Sequence, residues 1–302
     1  MRHYIEPFCG SCAILLARPQ SHAGKVETVN DADGMIVNVW RAIRNAPDAV
    51  AHECAIPVME LELHARLAKT KEHCMTPDFK AWIEADEKHF DAYWAANWLY
   101  CTCASIGECW SDDGPWRRVK EADGEIRLRN VRKLPHLGSA GEDSEDILPH
   151  EATVRQYLRA LARRLERVRI TCGDWRRVVS TPTTILAGRS NAGIFLDPPY
   201  TVGTDLYAEA NDVTAEVCDW CVKCGDDLRV RIALCGFDVD GHNALLAHGW
   251  SVVQGRAGGH GYNKDKADCK RERIWLSPGC ICASPEGQTL FDRDANNGSN
   301  AQ

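Results

Sequence analysis

Short apolar runs alternate with amphipathic stretches along the 302 residues of this chain, which predicts an α/β fold with a Rossmann-like sheet flanked by helices. Three observations carry the prediction. Loops bearing glycine or an acid follow several of the apolar runs, where parallel strands of such sheets collect their ligands. Helical periodicity lapses between residues 107 and 150, the mark of an inserted region rather than another layer. Near the end, Trp250–Val253 and Arg273–Leu276 suggest a closing antiparallel pair.

Tyr4 to Phe8 reads as the end of a strand, Cys9-Gly10-Ser11-Cys12 as a tight loop, and Ala13 to Arg18 as the helix it feeds. Val26 to Val29 is the second strand and ends in Asn30-Asp31. An acid placed about twenty residues past a glycine loop is where ribose hydroxyls are commonly held. Gly34 to Arg44 follows as an amphipathic helix, and Asp48–Lys71 and Pro77–Cys101 read as two further helices. The last carries Phe79, Trp82, Ile83, Phe90, Tyr93, Trp94 and Trp98, an aromatic stripe expected to face the core.

Thr153 to Val168 restores a helix, with Val154, Leu158, Leu161, Leu165 and Val168 on one side. Its arginines 155, 159, 163 and 167 are expected to be a solvated face. The strand Arg169–Cys172 leads to Gly173-Asp174-Trp175. There an acid could bond an adenine amine, and the following aromatic could cover the ring. Ile194–Leu196 and Arg229–Leu234 are two more strands, and the polar tail from 283 to 302 is expected to be disordered.

The most telling residues are Asp197-Pro198-Pro199-Tyr200, directly after the run Gly193–Leu196. A Pro-Pro-Tyr turn can be simple punctuation after a strand. The tetrad also suits methyl transfer to a planar amine, whose lone pair is delocalised until acceptors draw its protons out of the ring plane. Asp197 offers one acceptor. The Pro198 carbonyl, aimed by two rings that fix φ, offers a second. Tyr200 can lie against the face of an extruded base.

Composition bounds the rest. Hydrophobic content of 44% and charged content of 26% exclude fibrous and wholly disordered classes. The chain shows neither an apolar signal segment nor a run able to span a bilayer, so a soluble cytoplasmic protein with no membrane partner is expected. Its fifteen cysteines are then expected to be reduced thiols. Cys101, Cys103 and Cys109 lack zinc-knuckle spacing, and Cys218, Cys221 and Cys224 share a helical face, so no metal is expected. A net charge of −7 is poor for phosphate contact overall. Locally the stretch 115–135 is basic, with Arg117, Arg118, Lys120, Arg127, Arg129, Arg132 and Lys133, and it is the candidate surface for nucleic-acid phosphate.

Taken in order, these segments resemble the Dam-like family of adenine-specific DNA methyltransferases, most closely its phage and prophage members. Glu6-Pro7-Phe8-Cys9-Gly10-Ser11 is similar to the family's cofactor loop and Phe195–Tyr200 to its catalytic motif. Asn30-Asp31, Cys172–Trp175, Lys133–Gly138 and Glu272–Pro278 are similar to further segments. The resemblance implies S-adenosylmethionine as methyl donor, bound by Pro7, Phe8, Gly10, Ser11, Asp31, Asp174 and Trp175. Within that set, Gly10 would lie at the methionine end, Asp31 on the ribose and Asp174 by the adenine. Asp197, Pro198, Pro199 and Tyr200 would hold a flipped adenine. It also implies a catalytic core over 1–104 and 151–282 and a target-recognition insert over 105–150, in a protein expected to be monomeric.

Two departures stand out. Cys12 replaces the family loop's second glycine, and cysteine adopts positive φ less freely, so hindered cofactor approach is expected. The family's Gly-Gly-Lys segment ahead of the first core strand has no counterpart before Tyr4. A misassigned start, a second polypeptide or weakened cofactor binding would account for that. The alternatives are a methyltransferase acting on RNA or on a protein amide, and a non-catalytic DNA-binding remnant.

Overall fold

The computed structural model describes residues 1–18, 25–105, 118–120, 126–128, 150–199, 210–237, 241–254 and 272–280. The chain opens with strand β1 (His3–Glu6), helix α1 (Ala13–Ala17), strand β2 (Val26–Asp31) and helix α2 (Gly34–Asn45). Four helices follow: α3 (Pro47–Cys54), α4 (Glu60–Cys74), α5 (Pro77–Ala85) and α6 (Ala92–Ala104). Next come the short strands β3 (Arg118–Lys120) and β4 (Ile126–Leu128), helix α7 (His150–Leu165) and strand β5 (Val168–Cys172). The remainder is α8 (Arg176–Val179), α9 (Pro182–Leu186), β6 (Ala192–Leu196), α10 (Ala210–Cys224), β7 (Val230–Phe237), β8 (Ser251–Gln254) and β9 (Glu272–Leu276). A 3-10 helix, His242–His248, lies between β7 and β8.

Seven strands form one mixed sheet in the order β5-β2-β1-β6-β7-β9-β8. Five of them, from β5 across to β7, are parallel, and β9 runs antiparallel to both its neighbours. This is the Rossmann-like α/β sheet that the sequence predicts, with the closing antiparallel pair in place. From β1 the chain first builds outward through β2 to β5, then returns to the other side of β1 with β6 and β7. The strand order therefore reverses between β1 and β6, and crevices form at the carboxyl ends of strands flanking such a point.

Strand β1 is buried along its whole length, as the centre of a sheet covered on both faces must be. Alternation divides its side chains: Tyr4 joins the core beneath α2 to α7, and Ile5 joins the core on the opposite face with Ile194, Val217 and Trp275.

Three sequence expectations need correction. The helix expected over 48–71 is two helices, α3 and α4, separated at Pro57, which cannot supply a helical N–H. The helix expected over 77–101 is also two, because Asp91 takes an extended backbone and caps a new start by accepting from the Trp94 N–H at 3.0 Å. Val168, expected to end a helix, begins β5 instead. In addition, the stretch read as having no periodicity contains the antiparallel β3–β4 pair, with Val119 opposite Arg127. The aromatic stripe splits: Phe79 and Ile83 are buried, whereas Trp82 and Tyr93 are 39% and 44% exposed. The tail 283–302 lies outside the described residues.

Candidate active site at the carboxyl edge of the sheet

The loop after β1 is shaped by two residues in the left-handed region, Gly10 at φ 42° and Cys12 at φ 52°. Glycine adopts this freely; for cysteine it costs about 1 kcal/mol. That cost is offset by burial, because the Cys12 side chain is fully enclosed in the core and its N–H donates to the Cys9 carbonyl at 2.6 Å. The expected obstruction by Cys12 is therefore corrected: its thiol faces the interior. The Cys9 thiol bonds that of Cys12, and this contact together with burial raises its pKa. At Gly10 an added Cβ would meet nothing within 4 Å among the described residues, so the loop borders open space there.

Asp31 ends β2 and fastens this loop. Its carboxylate accepts the Gly10 N–H on Oδ2 and the Asp33 N–H on Oδ1, both at 2.9 Å. Burial raises the Asp31 pKa, and these N–H groups pull it back. Each oxygen retains lone-pair capacity for one more donor. Asp33 caps α2 by accepting from Met35 and Ile36.

Several organising residues escape sequence reasoning. The Asn30 amide donates to the Pro7 carbonyl at 3.1 Å and to the Gly173 carbonyl at 2.8 Å, and its Oδ1 accepts from Thr171. One buried side chain thereby ties together the ends of β1, β2 and β5. The Trp40 indole N–H, from α2, donates to the Gly10 carbonyl at 2.8 Å. A polar residue closing an apolar strand was the available signal for Asn30; nothing in the periodicity of α2 distinguishes Trp40 from a core residue.

Beyond β5, Asp174 is half exposed and bound by Arg176 at 2.8 Å, and those hydrogen bonds hold its carboxyl below the usual range. Any ligand amine there must share the carboxylate with Arg176. Trp175 is a core residue, 5% exposed, with its ring 5.9 Å from that of Phe8 and edge-on to Trp220. The open ring face expected of it is corrected accordingly. Its indole N–H is buried without a hydrogen-bond partner among the described residues.

Asp197 leaves β6 at the same sheet edge. Strands β1 and β6 pair in parallel with Ile5 opposite Ile194, so the Cys9–Cys12 loop and Asp197-Pro198-Pro199 emerge side by side. Asp197 is exposed and Pro198 buried. Burial raises the Cys235 thiol on β7, and the nearby Asp197 carboxylate adds to that rise. The Thr214 hydroxyl of α10 donates to the Pro199 carbonyl at 2.8 Å and so anchors the turn, a contact with no local sign along the chain. Tyr200 lies outside the described residues.

The structure thus brings Pro7, Phe8, Gly10, Ser11, Asp31, Asp174, Trp175, Asp197, Pro198 and Pro199 to one edge of the sheet. Of the basic stretch, Arg118, Lys120 and Arg127 are placed by their backbone in β3 and β4. Arg117, Arg129, Arg132 and Lys133 lie outside the described residues. Among the described residues no three His, Cys, Asp or Glu side chains form a group able to hold a metal ion, and no helix is long and apolar enough to cross a membrane.

Residues 1–70 match the family model of the D12 class N6 adenine-specific DNA methyltransferases. The matched segment contains β1, the loop to Cys12, Asp31 and α2, and supports the Dam-like adenine methyltransferase family for this chain. A search of curated proteins finds no match.

Proposed function

On the premise of that D12-class family, we propose that this chain transfers a methyl group from S-adenosylmethionine to the exocyclic amine of an adenine flipped out of double-stranded DNA. The observation that carries the reading is the parallel pairing of β1 with β6 at the strand-order reversal, which sets the Cys9–Cys12 loop beside Asp197 and Pro198.

The residues fit the cofactor on two counts: the open space at Gly10 and the remaining acceptor capacity of Asp31 at the tip of β2. Pro7, Phe8, Gly10 and Ser11 would line the methionine end, Asp31 would accept from the ribose hydroxyls, and Asp174 would accept from the adenine amine while keeping Arg176. Trp175 contributes from beneath, by supporting Phe8. When bound, S-adenosylmethionine supplies a methyl group already activated on a sulfonium, so no strong base is needed.

The chain's own work is orientation. Asp197 and the Pro198 carbonyl accept hydrogen bonds from the two amine N–H groups, which returns lone-pair density to the nitrogen; one of those protons is lost as the bond to the methyl forms and the thioether leaves. Pro199, anchored by Thr214, fixes the direction of the turn. Tyr200 stacks on the extruded base, and these contacts together offset an unstacking cost of a few kcal/mol. Residues 105–150 act as the target-recognition insert, their basic side chains meeting phosphate. Residues 1–104 and 151–282 form the catalytic core, and the protein works as a cytoplasmic monomer.

Asp197→Ala separates chemistry from binding. Methylation of duplex DNA should fall by about a hundredfold or more, while calorimetry shows cofactor affinity nearly unchanged. Equal loss of both would make the carboxylate structural and remove the proposal.

A further inference from the structure

At the opposite edge of the sheet, where the parallel strands begin, five basic side chains converge. Arg2 precedes β1, Lys25 precedes β2, Arg167 and Arg169 flank the start of β5, and Arg189 precedes β6. With Val26 they line a cavity of about 340 Å³ that has no acidic residue among the described residues of its wall. That volume lies at the lower end of the range for small-molecule sites.

Two ordinary explanations fail. Cations at this edge often serve carbonyls at helix ends or strand starts, and Arg44 and Arg164 do so by donating to the carbonyls of Val168 and Leu15 at 2.7 Å. Among the described residues, none of the five pocket side chains makes a hydrogen bond or an ion pair. Nor is the clustering a consequence of a basic protein, because the chain carries a net charge of −7. Five like charges around one concavity repel one another and build a positive potential there that favours a bound anion. The repulsion reaches inward: burial lowers the pKa of His3, and Arg169 and Arg189 lower it further.

We propose that this cavity binds a compact polyanion of linked phosphates, either free or carried by a nucleotide. A single carboxylate or phosphate would leave most of the repulsion uncompensated, whereas a triphosphate distributes several charges over a volume the cavity can hold. Four arginines favour phosphate, since guanidinium groups bind its oxygens in pairs. The site lies at the end of the strands remote from Asp197, and it does not depend on the methyl-transfer reading.

Calorimetry on the full chain at low ionic strength, with inorganic tripolyphosphate as the probe, tests the inference. The wild-type protein should bind, and the doubly substituted R169E/R189E should bind at least tenfold more weakly. R229E, which alters an exposed arginine paired with Asp227 at the start of β7 and outside the cavity lining, should bind as the wild type does. Competition by ATP would identify a nucleotide-borne phosphate chain; tripolyphosphate binding without such competition would identify the free anion. The inference is overturned by absence of tripolyphosphate binding, by equal affinity in R169E/R189E, by an equal loss in R229E, or by duplex DNA displacing the probe at lower concentration than ATP.

Discussion

Glu6 shows how one residue can set the pH response of the site. It ends β1, is 2% exposed, and accepts the Tyr4 hydroxyl proton. Burial raises its pKa to about 7, against the pull of Tyr4, the Leu15 N–H and Arg18. Because the folded pKa lies above the unfolded one, the folded state holds the extra proton between them. Stability from this group is complete below the unfolded value of 4.5 and is lost as pH rises through about 7. A shift of this size corresponds to about 3 kcal/mol. Glu6→Gln imitates the protonated form, so denaturant melts of the variant should lose that part of the decline between pH 4.5 and 7. At pH 8 it should be the more stable protein. An unchanged pH slope would show that Glu6 is not buried as an acid. Cys12 teaches a related lesson: its identity in a glycine position signalled a departure, but only packing could show that the thiol turns into the core.

At the scale of elements, the turn after β6 depends on α10. Thr214 is the link, and Thr214→Val keeps its shape while removing the donor to the Pro199 carbonyl. Loss of that bond should cost about 1–3 kcal/mol and lower the turnover of DNA methylation severalfold with cofactor affinity unchanged. Thr214→Ser should restore turnover, which a purely steric role would not allow. If valine and serine variants methylate alike, the hydroxyl has no positioning role. The strand ends and their loops were legible because each carries its own local sign: an apolar run, then glycine or an acid. The breaks at Pro57 and Asp91 carried signs too, a proline and a capping acid, but apolar periodicity on either side masked them. Thr214 had none, since its partner lies across the fold rather than along the chain.

Across the whole molecule, the sequence makes the alternation of strands and helices legible but leaves their spatial order open. That β6 lies beside β1, on the edge that β2 and β5 leave open, makes one site of loops nearly two hundred residues apart, and no local run encodes that pairing. The joining of α3 to α6 onto the sheet is equally non-local. Arg41, 2% exposed on α2, donates to the carbonyls of Ile170 on β5, Ile83 on α5, and Asp86 and His89 beyond it. One guanidinium thus satisfies four acceptors from the sheet and the helical layer. Arg41→Met would fill much of the space yet leave those carbonyls without their donor, at a cost of about 3 kcal/mol after the desolvation of the cation is recovered. The loss should be regional. Hydrogen exchange in the variant should accelerate over residues 77–91, while the amides of β6 and β7, which pair with each other on the far side of β1, keep their protection. Uniform acceleration through both regions would mean that the helical layer and the sheet unfold as one unit and that Arg41 is no joint between them.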